Sequence, residues 1–130
     1  MSGIYTQQET YGELVRNLVL SIPGNIDATA VDNNNTGQTH ILRRGLGMAN
    51  LTTGGQFVDW DDDAADGSQV GTGILLDDVD LKDGDPSATA TDHLGHILVM
   101  GSVMQANVIV DSAGAIANFV SDLAGKIWFL

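Results

Sequence analysis

The chain contains no cysteine, which excludes disulfides and thiolate metal sites. It is almost without lysine: Lys82 and Lys126 are the only two, and with three arginines they face 17 acids. The net charge is −12. Nucleic acid and anionic membranes both require a basic patch, so neither is expected as a partner. Glutamate is scarce too: only Glu9 and Glu13 are Glu, and the remaining acids are Asp. Aspartate disfavours helix interiors and prefers caps and turns, so the acid excess belongs in loops rather than along helix faces. No apolar run approaches the roughly 20 residues that span a bilayer. The N-terminus MSGIYTQQETYGELVRNLVLSI has no basic leader region, so no secretion signal is expected.

What remains is a 130-residue chain that is 43% hydrophobic. That length fits one domain, and that composition can build one real core. The acidity suits a protein that must stay soluble or that meets a basic partner surface. The same Asp-rich, Lys-poor balance occurs in proteins adapted to high salt.

Along the chain, residues 1–15 are polar and read as an extended arm. RNLVLSI (16–22) reads as a short strand stopped by Pro23-Gly24, and 25–39 is an Asn- and Asp-rich loop with a turn at Asn35-Thr36-Gly37. The arm and loop are therefore placed at 1–39 and a β-rich body at 40–130. Strands are expected at 40–43, 56–60, 70–76, 95–104 and 107–110, with acidic turns at 61–69 and 77–92. One helix is expected over 112–124, with Ala113, Ile116, Ala117, Val120 and Leu123 on its apolar face. Ser112 and Gly125 would cap it. The closing KIWFL is an apolar β-type tail that must be buried. The fold class is mainly β (α+β): a small mixed-sheet, barrel-like body with one C-terminal helix and an extended N-terminal arm.

Sites for chemistry are few. Neither acidic loop keeps the calcium-loop pattern: from Asp78 a lysine, Lys82, falls at position 5, and from Asp62 an alanine, Ala64, falls at position 3. A looser cation site at Asp61, Asp62, Asp63 and Asp66 competes with the plainer reading of a solvated charge run. His93 and His96 lie on strand-like sequence, where residues three apart face opposite ways, so they do not read as a zinc pair. GTG at 71–73 and GLG at 45–47 both lack the rest of a phosphate-binding loop. Asp59 is the one acid in an apolar setting, and alternation turns it to water. Asn34 and Asn50 begin N-x-T sequons that mean little without secretion. Met48, Met100 and Met104 read as core filler, and Trp60 and Trp128 as core rings more than interface anchors. No metal, cofactor or catalytic residue is expected.

One stretch carries a family pattern: FVDWDDDAADGSQVGTGILLDDVD, residues 57–80. A strand ends in Trp60-Asp61, an acidic turn contains Gly67, and Gly73-Ile74-Leu75 leads to Asp78 and Asp80. This resembles the head decoration proteins of tailed viruses, the lambda-type capsid-stabilising family. ILVMGSVMQANVIV and AGAIANFVSDLAGKIWFL resemble the family's later strand pair, helix and closing strand, so the resemblance covers 40–130. It implies a homotrimer on the outer surface of an icosahedral head, over three-fold positions, cementing major capsid protein subunits. It implies no catalytic residue or cofactor, a host-cytoplasmic stage before assembly, and an N-terminal arm that contacts the capsid. Ile4, Tyr5, Tyr11, Leu14 and Val15 are the candidate capsid-binding residues of that arm. The alternative from another class is an acidic cation- or ligand-binding module that uses the Asp-rich loops.

Overall fold

The computed structural model describes residues 14–110 and 116–130. Eight strands are ordered β1 (Val15–Ile26), β2 (Ile41–Leu42), β3 (Gly47–Asn50), β4 (Phe57–Asp59), β5 (Gly71–Leu75), β6 (Val79–Asp80), β7 (His93–Val103) and β8 (Ile127–Phe129). A 3₁₀ turn (Gln105–Asn107) follows β7, and the helix α1 (Ile116–Asp122) precedes β8. Six strands form one mixed sheet in the order β1-β4-β3-β5-β7-β8, and β1 also pairs with β7. That second pairing closes the sheet on itself into a small barrel, which leaves few open edges. β2 and β6 form a separate antiparallel pair.

The apolar runs explain the layering. A strand with one wet face alternates, whereas a strand buried on both faces reads as a continuous apolar run. Ile74 and Leu75 are both fully buried, as are Ile97 and Leu98 and as are Met48 and Ala49. Alternate members go to different cores. Ala49, Ile74 and Leu98 join Trp60, Phe119, Leu123 and Ile127. Met48, Leu75 and Ile97 join Ile26, Leu42, Phe57 and Val79.

The helix reaches the first core through Phe119, its one buried residue among those described, with Leu123 just beyond its end. Phe119 packs on Trp60 with the rings tilted by 53° and their centroids 5.2 Å apart, and it meets Phe129 edge-on at 6.0 Å. The ring fits because two glycines face it. A Cβ on Gly71 would lie 2.6 Å from Phe119 Cδ1, and one on Gly47 would lie 2.9 Å from Cζ.

Several expectations change. The predicted 16–22 strand runs on through Pro23-Gly24 to Ile26 and lies along β7 in antiparallel register. Proline is tolerated where its nitrogen faces an unpaired edge, and β1 meets β4 only at Ile26↔Phe57. Gly24 is not a turn residue: a Cβ there would lie 2.6 Å from the Phe57 ring. Residues 14–39 are built into the body, with Leu14, Val15, Ile26 and Ala30 buried in its cores. β3 arises between the strands expected at 40–43 and 56–60, and β6 inside the second acidic turn. The expected 107–110 strand is reduced to a single bridge, Leu46↔Ile109. Of the expected helix face, Ala117 is exposed and Phe119 takes the central position; Ser112 and Ala113 lie outside the described residues.

Candidate functional site

The acidic loops come first, because the charge concentrates there. Aspartate is one methylene shorter than glutamate, so its carboxylate folds back onto the backbone two residues on. The Asp61 carboxylate accepts from the Asp63 N–H at 3.0 Å, and that of Asp66 from Ser68 N–H at 3.1 Å. Asp80 accepts from Lys82 N–H at 2.9 Å and from Gly84 N–H at 2.8 Å. Asp85 accepts from Ser87 N–H at 3.1 Å. Others tie distant segments together. Asp92 accepts from Ala28 N–H, Asp59 from Val31 N–H, Asp78 from Arg44 N–H and Asp122 from Gly71 N–H, each between 2.7 and 2.9 Å. Asp59 is thus a cross-link between loop and strand rather than a free acid facing water.

These bonds move the acids' titration. Hydrogen bonds from the Ser68 hydroxyl and N–H hold the Asp66 carboxyl below its usual range, and those from Ser87 do the same for Asp85. The Lys82 N–H, with that of Gly84 and the nearby His40 and His93, lowers Asp80. Among the described residues Asp32 is the one fully buried acid, and Arg43 answers it through Nε at 2.8 Å and Nη2 at 3.2 Å.

The histidines also face acids. His93 Nε2 lies 2.7 Å from Asp83 Oδ1, and its Nδ1 lies 2.7 Å from Thr91 O. Two acceptors on one ring favour the imidazolium, so the His93 pKa is raised, with the Asp83 hydrogen bond the largest cause. His40 lies 3.8 Å from Asp80 and His96 3.5 Å from Asp77. Among the described residues, no group of three or more His, Cys, Asp or Glu side chains could hold a metal ion.

The segment from Trp60 to Asp80 builds the frame that carries these loops. Trp60 is buried and its indole Nε1–H donates to Gln69 O at 3.0 Å, so the ring pins the returning side of the acidic turn. Gly67 takes φ +105°, and any Cβ there would lie 2.6 Å from Asn50 O and Thr52 N. A Cβ on Gly73 would lie 2.4 Å from Ile97 and 2.8 Å from Leu98 O, so β5 and β7 need a glycine at that crossing. Ile74 and Leu75 fill the two cores, while Asp61, Asp78 and Asp80 accept the loop hydrogen bonds already given.

The opposite chemistry lies on β1, β7 and β8. None of the three strands contains an Asp or Glu. Val19, Leu20, Met100, Trp128 and Leu130 stay exposed there. Met100 is therefore not core filler, and Trp128, 60% exposed, is not a core ring. The tail alternates instead: Ile127 is buried and Trp128 turns outward, as the parallel register Ser102↔Trp128 with β7 requires.

Of the candidate arm residues, Leu14 and Val15 are buried, and the Leu14 carbonyl accepts from Met104 N–H at 2.7 Å. Ile4, Tyr5 and Tyr11 lie outside the described residues.

The bacteriophage lambda head decoration protein D family model matches residues 17–108. The chain belongs to that family. The match begins inside β1, so the decoration family's pattern reaches into the segment that the sequence alone set apart from the body. It covers the whole Trp60–Asp80 stretch and stops before α1. No curated protein matches the chain. As a family member the chain is a structural protein of tailed phages with a capsid decoration role, and its place is the virion capsid.

Proposed function

We propose that this decoration protein is a cement protein: a homotrimer on the outer capsid surface, seated at three-fold positions, that stabilises the head by bridging major capsid protein subunits. It passes through the host cytoplasm before assembly. It carries out no catalysis, needs no cofactor, and binds neither nucleic acid nor membrane.

The family match over 17–108 carries this reading. Charge supports it, since a −12 chain repels polyanions and stays soluble until it meets its partner. The construction of the loops supports it as well. The carboxylates of Asp61, Asp66, Asp80 and Asp85 are bonded to backbone N–H groups of their own turns, which favours rigid surface loops over a cation-binding module.

Residues 1–13 join the barrel at Leu14, whose carbonyl and side chain are both fixed by the body. The capsid-binding arm is accordingly 1–13, with Ile4, Tyr5 and Tyr11 as its contact residues, and Leu14 and Val15 are its anchor in the core. An extended segment with spaced apolar residues can add to a partner's sheet edge, with backbone bonds giving affinity and side chains specificity. Three weak arms on one trimer then act together through effective concentration.

The test is a chain that begins at Leu14. It is expected to melt within a few degrees of the full chain and to lose binding to matured, undecorated heads. A truncated chain that decorates heads as well as the full one moves the docking surface onto the barrel.

A further inference from the structure

The second acidic turn is closed at its base by the Thr91 N–H, which donates to Leu81 O, and Leu81 is fully buried. The tip is bonded mostly to itself. The N–H groups of Lys82 and Gly84 donate to the Asp80 carboxylate, Asp85 N–H to Lys82 O, Ala88 N–H to Asp85 O, and Lys82 Nζ to Pro86 O. Among the described residues, the bond that carries the tip outside its own turn is Asp83 Oδ1 with His93 Nε2, 2.7 Å away at the start of β7. The other nitrogen of that ring, Nδ1, lies 2.7 Å from Thr91 O, at the base of the same turn. One imidazole therefore spans tip and base. Its tip partner is under load: the Asp83 side chain is 77% exposed, and Asp83 is the one non-glycine with positive φ, +53°, among the described residues. A residue with a side chain disfavours that region, so the tip has reason to leave once its carboxylate is let go.

We propose that His93 is a proton-operated latch on this turn: its imidazolium clasps Asp83 to Thr91 and holds residues 82–90 closed, and loss of its proton frees the tip. The reason lies in the donors. Thr91 O can only accept, and an ionised Asp83 can only accept, so the ring fills both bonds only when both nitrogens carry hydrogen. A neutral ring has one N–H. Whichever nitrogen keeps it, the other turns a lone pair on an oxygen 2.7 Å away, and that contact repels. The surrounding charges favour the shut form. Asp83 and Asp80 are the acids that act on the ring, and both strengthen its hold on the proton. Asp80 is shared with His40, 3.8 Å away, and the Lys82 ammonium is bonded to Pro86 O. The cross-strand partner on β1 is Ile26, which is uncharged, and the neighbouring Asp92 gives its carboxylate to Ala28 N–H and Gln56 Nε2. The sign follows from a folded pKa above 6.5: the latch is shut below that pH and opens as pH rises through the folded value. The outward shape of the second acidic turn is thereby tied to pH.

The experiment follows tip and ring separately in the full-length chain. Trypsin cleaves after lysine, and the Lys82–Asp83 bond lies inside the latched tip, so nicking there reports opening. The rate is divided by that of a free peptide spanning residues 79–86 at the same pH. Near-ultraviolet circular dichroism of the buried Trp60 checks that the body stays folded, and nitrogen NMR of the His93 ring counts its protons. The full chain is expected to carry hydrogen on both ring nitrogens at pH 6. Its normalised nicking is expected to rise by up to about tenfold per pH unit as the ring loses one proton, and then to level off. Asp83→Asn separates a latch from a brace. Its amide can donate to Nε2 while Nδ1–H donates to Thr91 O, so a neutral ring satisfies both contacts, and slow nicking is expected at every pH. Fast nicking of Asp83→Asn at every pH would make Asp83 a plain ionic brace and overturn the latch. His93→Gln does not titrate and is expected to give a flat profile. A neutral ring at pH 6, a flat profile in the full chain while its ring titrates, or the full chain's pH rise persisting in either variant would each overturn the proposal as well.

Discussion

The Phe119 slot gives the sharpest energetic prediction. Phe119 is fully buried between Trp60 and Phe129, and it is the helix's one buried residue among those described. Phe119→Ala removes that ring and leaves a cavity whose walls are strands and cannot collapse. The expected cost is about 3–5 kcal/mol. For a domain of this size about 1 kcal/mol corresponds to roughly 4 °C, so the melting temperature should fall by about 12–20 °C. Gly71→Ala attacks the same slot from the strand. Its Cβ would sit 2.6 Å from Phe119 Cδ1, about 1 Å inside ordinary carbon contact, and neighbouring rings keep Phe119 from moving away. Overpacking of this kind costs about 1–3 kcal/mol, partly offset by the smaller entropy of the unfolded alanine chain. With Phe119 already alanine, the clash is gone and the new methyl fills empty space. Gly71→Ala should then be neutral or stabilising, which gives a coupling of about 1–2 kcal/mol in a double-mutant cycle. Urea unfolding of the four proteins at one fixed protein concentration measures it. Additive effects, or a Gly71→Ala cost below about 0.5 kcal/mol, would refute the packing argument.

Arg43→Ala strands the buried Asp32 carboxylate without its guanidinium partner; a loss on the order of 3 kcal/mol is expected by denaturant unfolding, and Asp32→Asn should cost less because it removes the charge as well. His93 has its pKa raised above 6.5, so its stabilisation is complete below that pH and is lost as pH rises through the folded value. Thermal melts from pH 5 to 9 should show that loss in the native chain and not in His93→Gln. Asp66, Asp80 and Asp85 are lowered below 3.8, so their stabilisation is present above that pH and fades as pH falls through the folded values. Melts at pH 2 to 4 should decline, and Ser68→Ala should flatten the part that Asp66 contributes. With −12 on the chain, screening by salt should raise the melting temperature between low and molar salt; a flat response would remove the high-salt reading.

The legible parts of the sequence were those with a strong period or run. GHILVMGSVM announces β7, and VGTGILL announces β5, because strands buried on both faces must be apolar throughout. The turn role of aspartate was legible in the bias against glutamate, and the bonds of Asp61, Asp66, Asp80 and Asp85 are of that kind. What stayed hidden depends on distant partners. Pro23-Gly24 looks like a stop, yet Gly24 is small because Phe57 packs on it from another strand. Gly47 and Gly71 give no sign of the ring they receive until Phe119 is placed against both. Trp128 and Met100 look like core by type, and only the register of β8 and β1 against β7 turns them outward. The ion pair of Asp32 with Arg43 spans a loop whose path no local pattern predicts. The family resemblance was carried by the one stretch, 57–80, where strand ends and turns follow each other without long insertions.

The most direct test of the decoration role is to add purified full-length protein to matured, undecorated heads of its own phage and to image them by cryo-electron microscopy. The expected result is saturable density on the outer surface at the three-fold positions, three chains to a site, with heads that resist heat better than bare ones. Heads that remain bare at saturating protein, or density confined to other symmetry positions, would contradict it.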